Sequence, residues 1–151
     1  MQAIVLREEG YVTYPAGILS CIEEEVRSLN WHISNLECGC CDARNPFPDC
    51  GELVLSGGEF FDLIRANPEI QFIWGLFSGF PRGFDLEELK SRAVVDIRSE
   101  LPYLDNGPCH VEAGAVLEIV AFDSSETHVL ADNGEIIEKL RRRFPKAENL
   151  C

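Results

Sequence analysis

The sequence predicts an α+β fold: a mostly antiparallel sheet with helices packed on one face, in a single domain over residues 1–151. Three observations predict it. Two of the best strand candidates, AVLEIVAF at 115–122 and THVLAD at 127–132, are joined only by DSSE, which makes them an antiparallel hairpin. The other strand and helix signals do not alternate strictly, as a parallel sheet would require. The length of 151 residues, with 46% hydrophobic and 26% charged residues, fits one domain whose core needs no disulfide staples.

AIVLR, residues 3–7, is a short strand candidate. Residues 15–29 read as a helix, because Ile18, Leu19, Ile22, Val26 and Leu29 recur at helical spacing and Pro15 suits a first helical position. Glu23, Glu24 and Glu25 fall mostly off that stripe, on a solvated face. In NWHIS, residues 30–34, Trp31 and Ile33 alternate with His32 and Ser34, a half-buried strand signal. A loop containing Gly39, Pro46, Pro48 and Gly51 follows. ELVLS at 52–56 leads into GGEFFDLIRANPE, where Ser56 and Glu59 make a capping-box pattern. Phe60, Leu63 and Ile64 form the buried stripe of that helix, and Asn67-Pro68 ends it.

QFIWGLFSGF, residues 71–80, is rich in aromatic and aliphatic residues and predicts a central strand. Asp85 and Glu88 cap a short helix, DLEELKSR. VVDIRSE is ambiguous between elements, and LPYLDNGPCH carries proline and Asn-Gly turn signals. After the hairpin, Asn133-Gly134 turns the chain into a last helix at 135–144, with Ile136, Ile137, Leu140 and Phe144 on one side and Pro145 as its stop. Arg141, Arg142 and Arg143 sit in its final turn, where cations oppose the negative helix end. The apolar side of this helix is expected to lie across a sheet made by the hairpin and QFIWGLF.

Charge narrows the function classes. Twenty-six acidic against 13 basic residues give a net charge of −13. Such a surface repels phosphate backbones and anionic lipid and attracts basic proteins at long range, so a nucleic-acid partner is excluded. The start, MQAIVLREEG, has neither a basic n-region nor a long apolar core, and no apolar run approaches the ~18 residues of a membrane span. The expected location is the cytoplasm, where thiols stay reduced. Seven cysteines, an odd number, also argue against a complete disulfide framework.

Four of those cysteines, Cys38, Cys40, Cys41 and Cys50, crowd into ECGCCDARNPFPDC. Zinc favours four thiolate or imidazole ligands arranged as two regular knuckles. Here the spacing is C-x-C-C, the adjacent pair strains binding to one ion, and no second knuckle is present. Cys38 and Cys41 have C-x-x-C spacing without the helix start a redox centre uses. Ordinary reduced thiols are the favoured reading, a metal site the next, and no cofactor is expected. Cys109-His110 resembles a nucleophile beside a base, but adjacent residues in a strand face opposite ways. The histidines, His32 and His128 among them, read as partly buried or surface polar residues. SGGEF reads as a turn before a capped helix, and acid pairs such as Glu8-Glu9 and Glu87-Glu88 are too generic to name an acid–base couple. No nucleotide-binding, metalloprotease or hydrolase motif is present in the sequence.

QFIWGLFSGFP and then LEIVAFDSSETHVLADNGEIIEKLRRRFPKAENL carry a family resemblance. An aromatic-rich strand ending in Phe-Pro precedes an aliphatic strand ending in Asp-Ser-Ser, a strand ending in an acid, and a final helix. This pattern resembles a bacterial family of small uncharacterised domains and the immunity proteins that protect bacteria from their own polymorphic toxins. It covers roughly half of the chain, mainly the second half, and its motifs are structural, so no functional residue is carried over. The cysteine loop departs from the pattern. The resemblance implies a cytoplasmic, non-enzymatic binder.

Two functions are therefore expected. The first is a protein-binding module, an acidic immunity protein neutralising a basic toxin, with Glu23, Glu24, Glu25, Asp123 and Glu126 as the contact residues. The alternative is a small zinc- or thiol-dependent protein or enzyme built on Cys38, Cys40, Cys41 and Cys50.

Overall fold

The structure, a computed structural model, describes residues 1–8, 12–39, 45–47 and 51–150. Its frame is a seven-stranded sheet with the order β3-β2-β4-β5-β6-β1-β7. The strands are β1 (Gln2–Leu6), β2 (Leu29–Cys38), β3 (Leu53–Ser56), β4 (Phe72–Pro81), β5 (Leu117–Phe122), β6 (Glu126–Ala131) and β7 (Glu148–Asn149). Every neighbouring pair is antiparallel. With the helices below, this is the mixed α and β architecture, built on an antiparallel sheet, that the hairpin and the irregular alternation predict. β4 is interior, with β2 on one side and β5 on the other.

Period-two alternation divides the side chains between two faces. Trp31 and Ile33 of β2, Phe77 of β4, Leu117 and Ile119 of β5, and Val129 of β6 enter the main core. Against them pack α1 (Pro15–Leu19), α2 (Glu23–Ser28), α3 (Gly57–Ala66) and α6 (Gly134–Arg143). A chain of aromatic contacts runs through this core: Trp31–Phe60 at 4.7 Å, Phe60–Phe77 at 5.8 Å and Phe72–Phe77 at 5.1 Å between ring centroids. The Trp31 indole N–H is not orphaned, because it donates to the Val26 carbonyl at 2.9 Å.

The capping box of α3 forms as its sequence dictates. Ser56 Oγ accepts from the Glu59 N–H, and Glu59 reaches back to the Ser56 N–H at 2.9 Å. Gly57, the first residue of α3, is packed against the end of α2. A Cβ there would lie 2.2 Å from the Val26 carbonyl oxygen, 2.6 Å from that of Leu29 and 2.7 Å from that of Arg27. Only glycine lets the two backbones meet this closely.

Three local expectations need correction. Residues 15–29 do not form one helix: a 3₁₀ turn, Ser20–Ile22, separates α1 from α2, and Leu29 already belongs to β2. Ser20 Oγ and Cys21 Sγ both donate back to the Gly17 carbonyl, at 3.0 and 3.3 Å, a pattern that bends helices. LPYLDNGPCH is not all turn, because Pro102–Asn106 forms α5, with Pro102 in its first turn. The closing helix α6 lies over β1, β6 and the 3₁₀ turn instead of crossing β4. Its apolar residues Ile136, Ile137, Leu140 and Phe144 are buried as expected.

The other face of the sheet is covered by residues 82–116, which carry α4 (Leu86–Lys90) and α5. Two small apolar clusters hold this cover. One joins Phe80, Leu89 and Ala115, with Val54 and Phe84 at its margin. The second joins Leu76, Val120 and Leu130 of the sheet to Ile97, Leu101 and Tyr103. Two asparagines fasten the cover further. Asn30 donates to the Phe84 carbonyl at 2.9 Å. Asn35, at a bulge with φ of 57°, donates to the Val95 carbonyl at 2.8 Å and accepts from the Ile97 N–H at 3.3 Å.

Candidate functional site

Between the two apolar clusters, the sheet presents polar groups to its cover. His32 of β2 stands opposite Ser78 of β4, and Ser78 stands opposite Glu118 of β5. All three are fully buried. They form one cross-strand row, since residues in register on adjacent strands share a face.

The cover supplies the partners. His32 Nδ1 lies 2.7 and 2.9 Å from the two carboxylate oxygens of buried Glu112, and His32 Nε2 lies 2.7 Å from Glu52 Oε1. Arg92 Nε stands 3.5 Å behind Glu112, and the Arg92 guanidinium lies 4.7 Å above the Phe80 ring. Glu118 is saturated. One oxygen accepts from Ser78 Oγ at 3.0 Å and the Glu112 N–H at 2.8 Å; the other accepts from the Val111 N–H at 2.7 Å and His110 Nδ1 at 3.0 Å. His110 Nε2 faces Asp132 at 3.3 Å.

Both nitrogens of His32, and both of His110, therefore face carboxylates. An ionised carboxylate only accepts, so these contacts favour the imidazolium, the form of the ring that donates at both nitrogens. The electrostatics agree. Burial pulls the His32 proton affinity down, but the hydrogen bonds and charges of Glu112 and Glu52 outweigh it and hold the pKa above the usual value. His110 is raised in the same way, with Glu118 and Asp132 overcoming burial. His128 is the opposite case. It is buried, accepts from the Tyr103 hydroxyl at Nδ1 over 2.8 Å and faces Glu126 at Nε2 over 2.8 Å. Burial dominates there and lowers its pKa, opposed by Glu126.

Glu52 is where this network reaches the surface. Its side chain is 44% exposed and borders an open groove of about 420 Å³, also lined by Asn35, Leu36, Gly51, Val94, Asp96 and Arg98. The polar groups of this groove are engaged: Asn35 with the cover, Asp96 with the N–H of Arg98 and the Ser99 hydroxyl, Arg98 with Glu37.

The contact residues expected from sequence do not form one free acidic patch. Glu23 is paired with Arg27 at 2.7 Å, and Glu25, only 19% exposed, with Lys139. Glu126 is held by Arg7 at 2.6 Å and faces His128. Glu24 on α2 and Asp123 in the β5–β6 turn are exposed and make no ion pair among the described residues. Cys38 ends β2, half-buried against the main core. Cys40, Cys41 and Cys50 lie outside the described residues. Among the described residues no group of three His, Cys, Asp or Glu side chains is placed to hold a metal ion. Cys109 packs against the cluster around Tyr103 while His110 turns to Glu118, so the two are not a working pair. No helix among the described residues is long and apolar enough to cross a membrane.

Sequence reasoning missed the polar row. One signal was present: Glu118 interrupts an otherwise aliphatic strand, LEIVAF, and a carboxylate on a strand covered on both faces must be paired. The partners, His110 and the cover's amides, were not readable from spacing.

No family model matches the chain, and no curated protein and no solved structure is significantly similar to it.

Proposed function

We propose that the chain is a non-enzymatic protein-binding module whose acidic exterior engages a basic protein, the mode by which an immunity protein neutralises a basic toxin. The observation that carries this reading is the division of charge. Six basic side chains are tied up in ion pairs within the molecule: Arg7 on Glu126 and Glu148, Arg27 on Glu23 and Asp62, Lys90 on Glu87, Arg92 on Glu112, Arg98 on Glu37 and Lys139 on Glu25. Exposed Glu24, Glu69, Glu100, Asp105, Asp123 and Glu138 have no such partner among the described residues. The surplus of the −13 net charge thus faces solvent. The histidines and carboxylates of the polar row are satisfied by one another, and Glu52 alone of them borders the groove, which supports binding over catalysis.

Electrostatic complementarity of this kind acts chiefly on association. The test is surface-binding kinetics against the basic product of the adjacent gene, at several salt concentrations. The screening length shrinks from about 10 Å at ~0.1 M to about 3 Å at ~1 M, so association should slow steeply while dissociation changes less. Glu24→Lys and Asp123→Asn leave every ion pair above intact, the second keeping a side chain that suits the left-handed turn, and should each slow association with little effect on the melt. Association that ignores salt and both variants would overturn the reading.

A further inference from the structure

We infer that residues 82–116 form a pH-sensitive latch, fastened to the sheet by two imidazolium clamps, His32 between Glu52 and Glu112 and His110 between Glu118 and Asp132, and released as a unit when those rings lose their protons. Each clamp bridges sheet and cover. His32 belongs to β2 and Glu112 to the cover; Glu118 belongs to β5 and His110 to the cover. The same Glu118 accepts the backbone N–H groups of Val111 and Glu112, so the cover is tied down by its main chain at the same point.

The charged groups facing the two rings come from several elements. Glu52 precedes β3, Glu112 and Arg92 lie on the cover, Glu118 is on β5, and Asp132 follows β6. Arg92 is the cation that remains beside Glu112 when His32 is neutral, and it does not reach Glu118. A neutral imidazole keeps one N–H, so one of its two carboxylates must then face a lone pair. Closure holds the proton on each ring more tightly than water does, and opening gives it up.

The sign follows from linkage. With the cover open, His110 leaves both its carboxylates and returns to the ordinary imidazole value of about 6.5, while His32 loses Glu112 but keeps Glu52, which lies outside the cover. Between its open-state value and the raised value of the closed state, each ring releases a proton on opening. The opening constant should therefore rise with pH by up to ~10-fold per unit for one ring and up to ~100-fold per unit for both. Below about 6.5 the rings are charged in both states and their contribution to closure is complete.

Hydrogen exchange of the whole chain, read by mass spectrometry from below pH 6.5 to mildly alkaline pH and corrected for the intrinsic rate, tests this. Nitrogen NMR of the imidazoles runs in parallel. Protection of residues 82–116, with the Val111 and Glu112 amides as reporters, should fall as pH rises through the window between the open- and closed-state ring values, with a slope of at most ~two, while β5 and β6 keep theirs. Glu52→Gln and Asp132→Asn change the solvent-exposed member of each clamp. Each should lower the pKa of its histidine and move the upper end of the release window to lower pH without unfolding the chain. The inference is overturned if either ring is neutral at pH 6, if cover protection is flat while both rings titrate, if cover and sheet lose protection together, or if neither variant moves the window.

Discussion

Replacing Glu118 with glutamine tests the polar row most directly, because the change keeps the shape and removes one acceptor and the charge. Glu118 is fully buried and its two oxygens accept four hydrogen bonds. A glutamine amide can accept on one side only. If its NH₂ takes the place of the oxygen facing Ser78, the serine hydroxyl can turn and accept, but the Glu112 N–H is left without a partner. If it takes the other place, the Val111 N–H is orphaned and His110 faces a donor. The first arrangement is the less costly. One buried, unsatisfied N–H costs about 1–3 kcal/mol, and exchanging a charged acceptor for a neutral one at His110 removes about 1 kcal/mol more. The expected loss is therefore about 2–4 kcal/mol. Urea unfolding of wild type and E118Q near neutral pH measures it as a shift of midpoint at unchanged slope. The His110 pKa should fall in the variant, since its principal counter-charge is gone. A loss below ~0.5 kcal/mol, the scale of an ordinary surface substitution, or an unmoved His110, would refute the accounting.

Gly57→Ala should destabilise by about 3 kcal/mol, the upper end of overpacking costs, because its three close neighbours are backbone carbonyl oxygens that cannot rotate away; thermal and urea melts measure this. Leu140→Ala should cost about 2–5 kcal/mol, since the side chain is fully buried in the main core, and the same melts apply. His128 should make stability fall on mild acidification: its folded pKa is lowered, so as pH drops from about 6.5 toward that value the unfolded chain takes up a proton that the folded ring refuses. Comparing unfolding free energy against pH for wild type and His128→Gln isolates this limb, which should be shallower in the variant.

Much of the frame could be read from local chemistry. The Ser56–Glu59 box, the Asp85 cap and the DSSE hairpin each lie within a few residues, and each forms. What escaped was set by distance along the chain. Glu25 meets Lys139 across 114 residues, and Arg7 meets Glu126 across 119, so two acids that read as solvated are tied inside the molecule. His32 meets Glu112 across 80. No periodicity announces such pairs. The α1–α2 break was hidden because Ile18, Ile22 and Val26 keep helical spacing through the 3₁₀ turn and all remain buried.

The polar row also answers why a cover whose apolar contacts are split in two holds one position. Its hydrophobic contacts fall into two separate clusters, around Leu89 at one end and around Tyr103 at the other. Hydrophobic burial is non-directional, and small clusters alone would tolerate sliding along the sheet. Directional bonds do not. A one-residue slip would carry Glu112 away from His32 and strand the amides of Val111 and Glu112 away from Glu118, leaving buried charges and donors unpaired at once. Buried ion pairs add little net stability compared with a well-packed apolar substitute, but one that is broken leaves a buried charge uncompensated, which penalises every other register. The cost of misplacing the cover, more than the gain from placing it, selects the single arrangement in which His32, Ser78 and Glu118 are all satisfied.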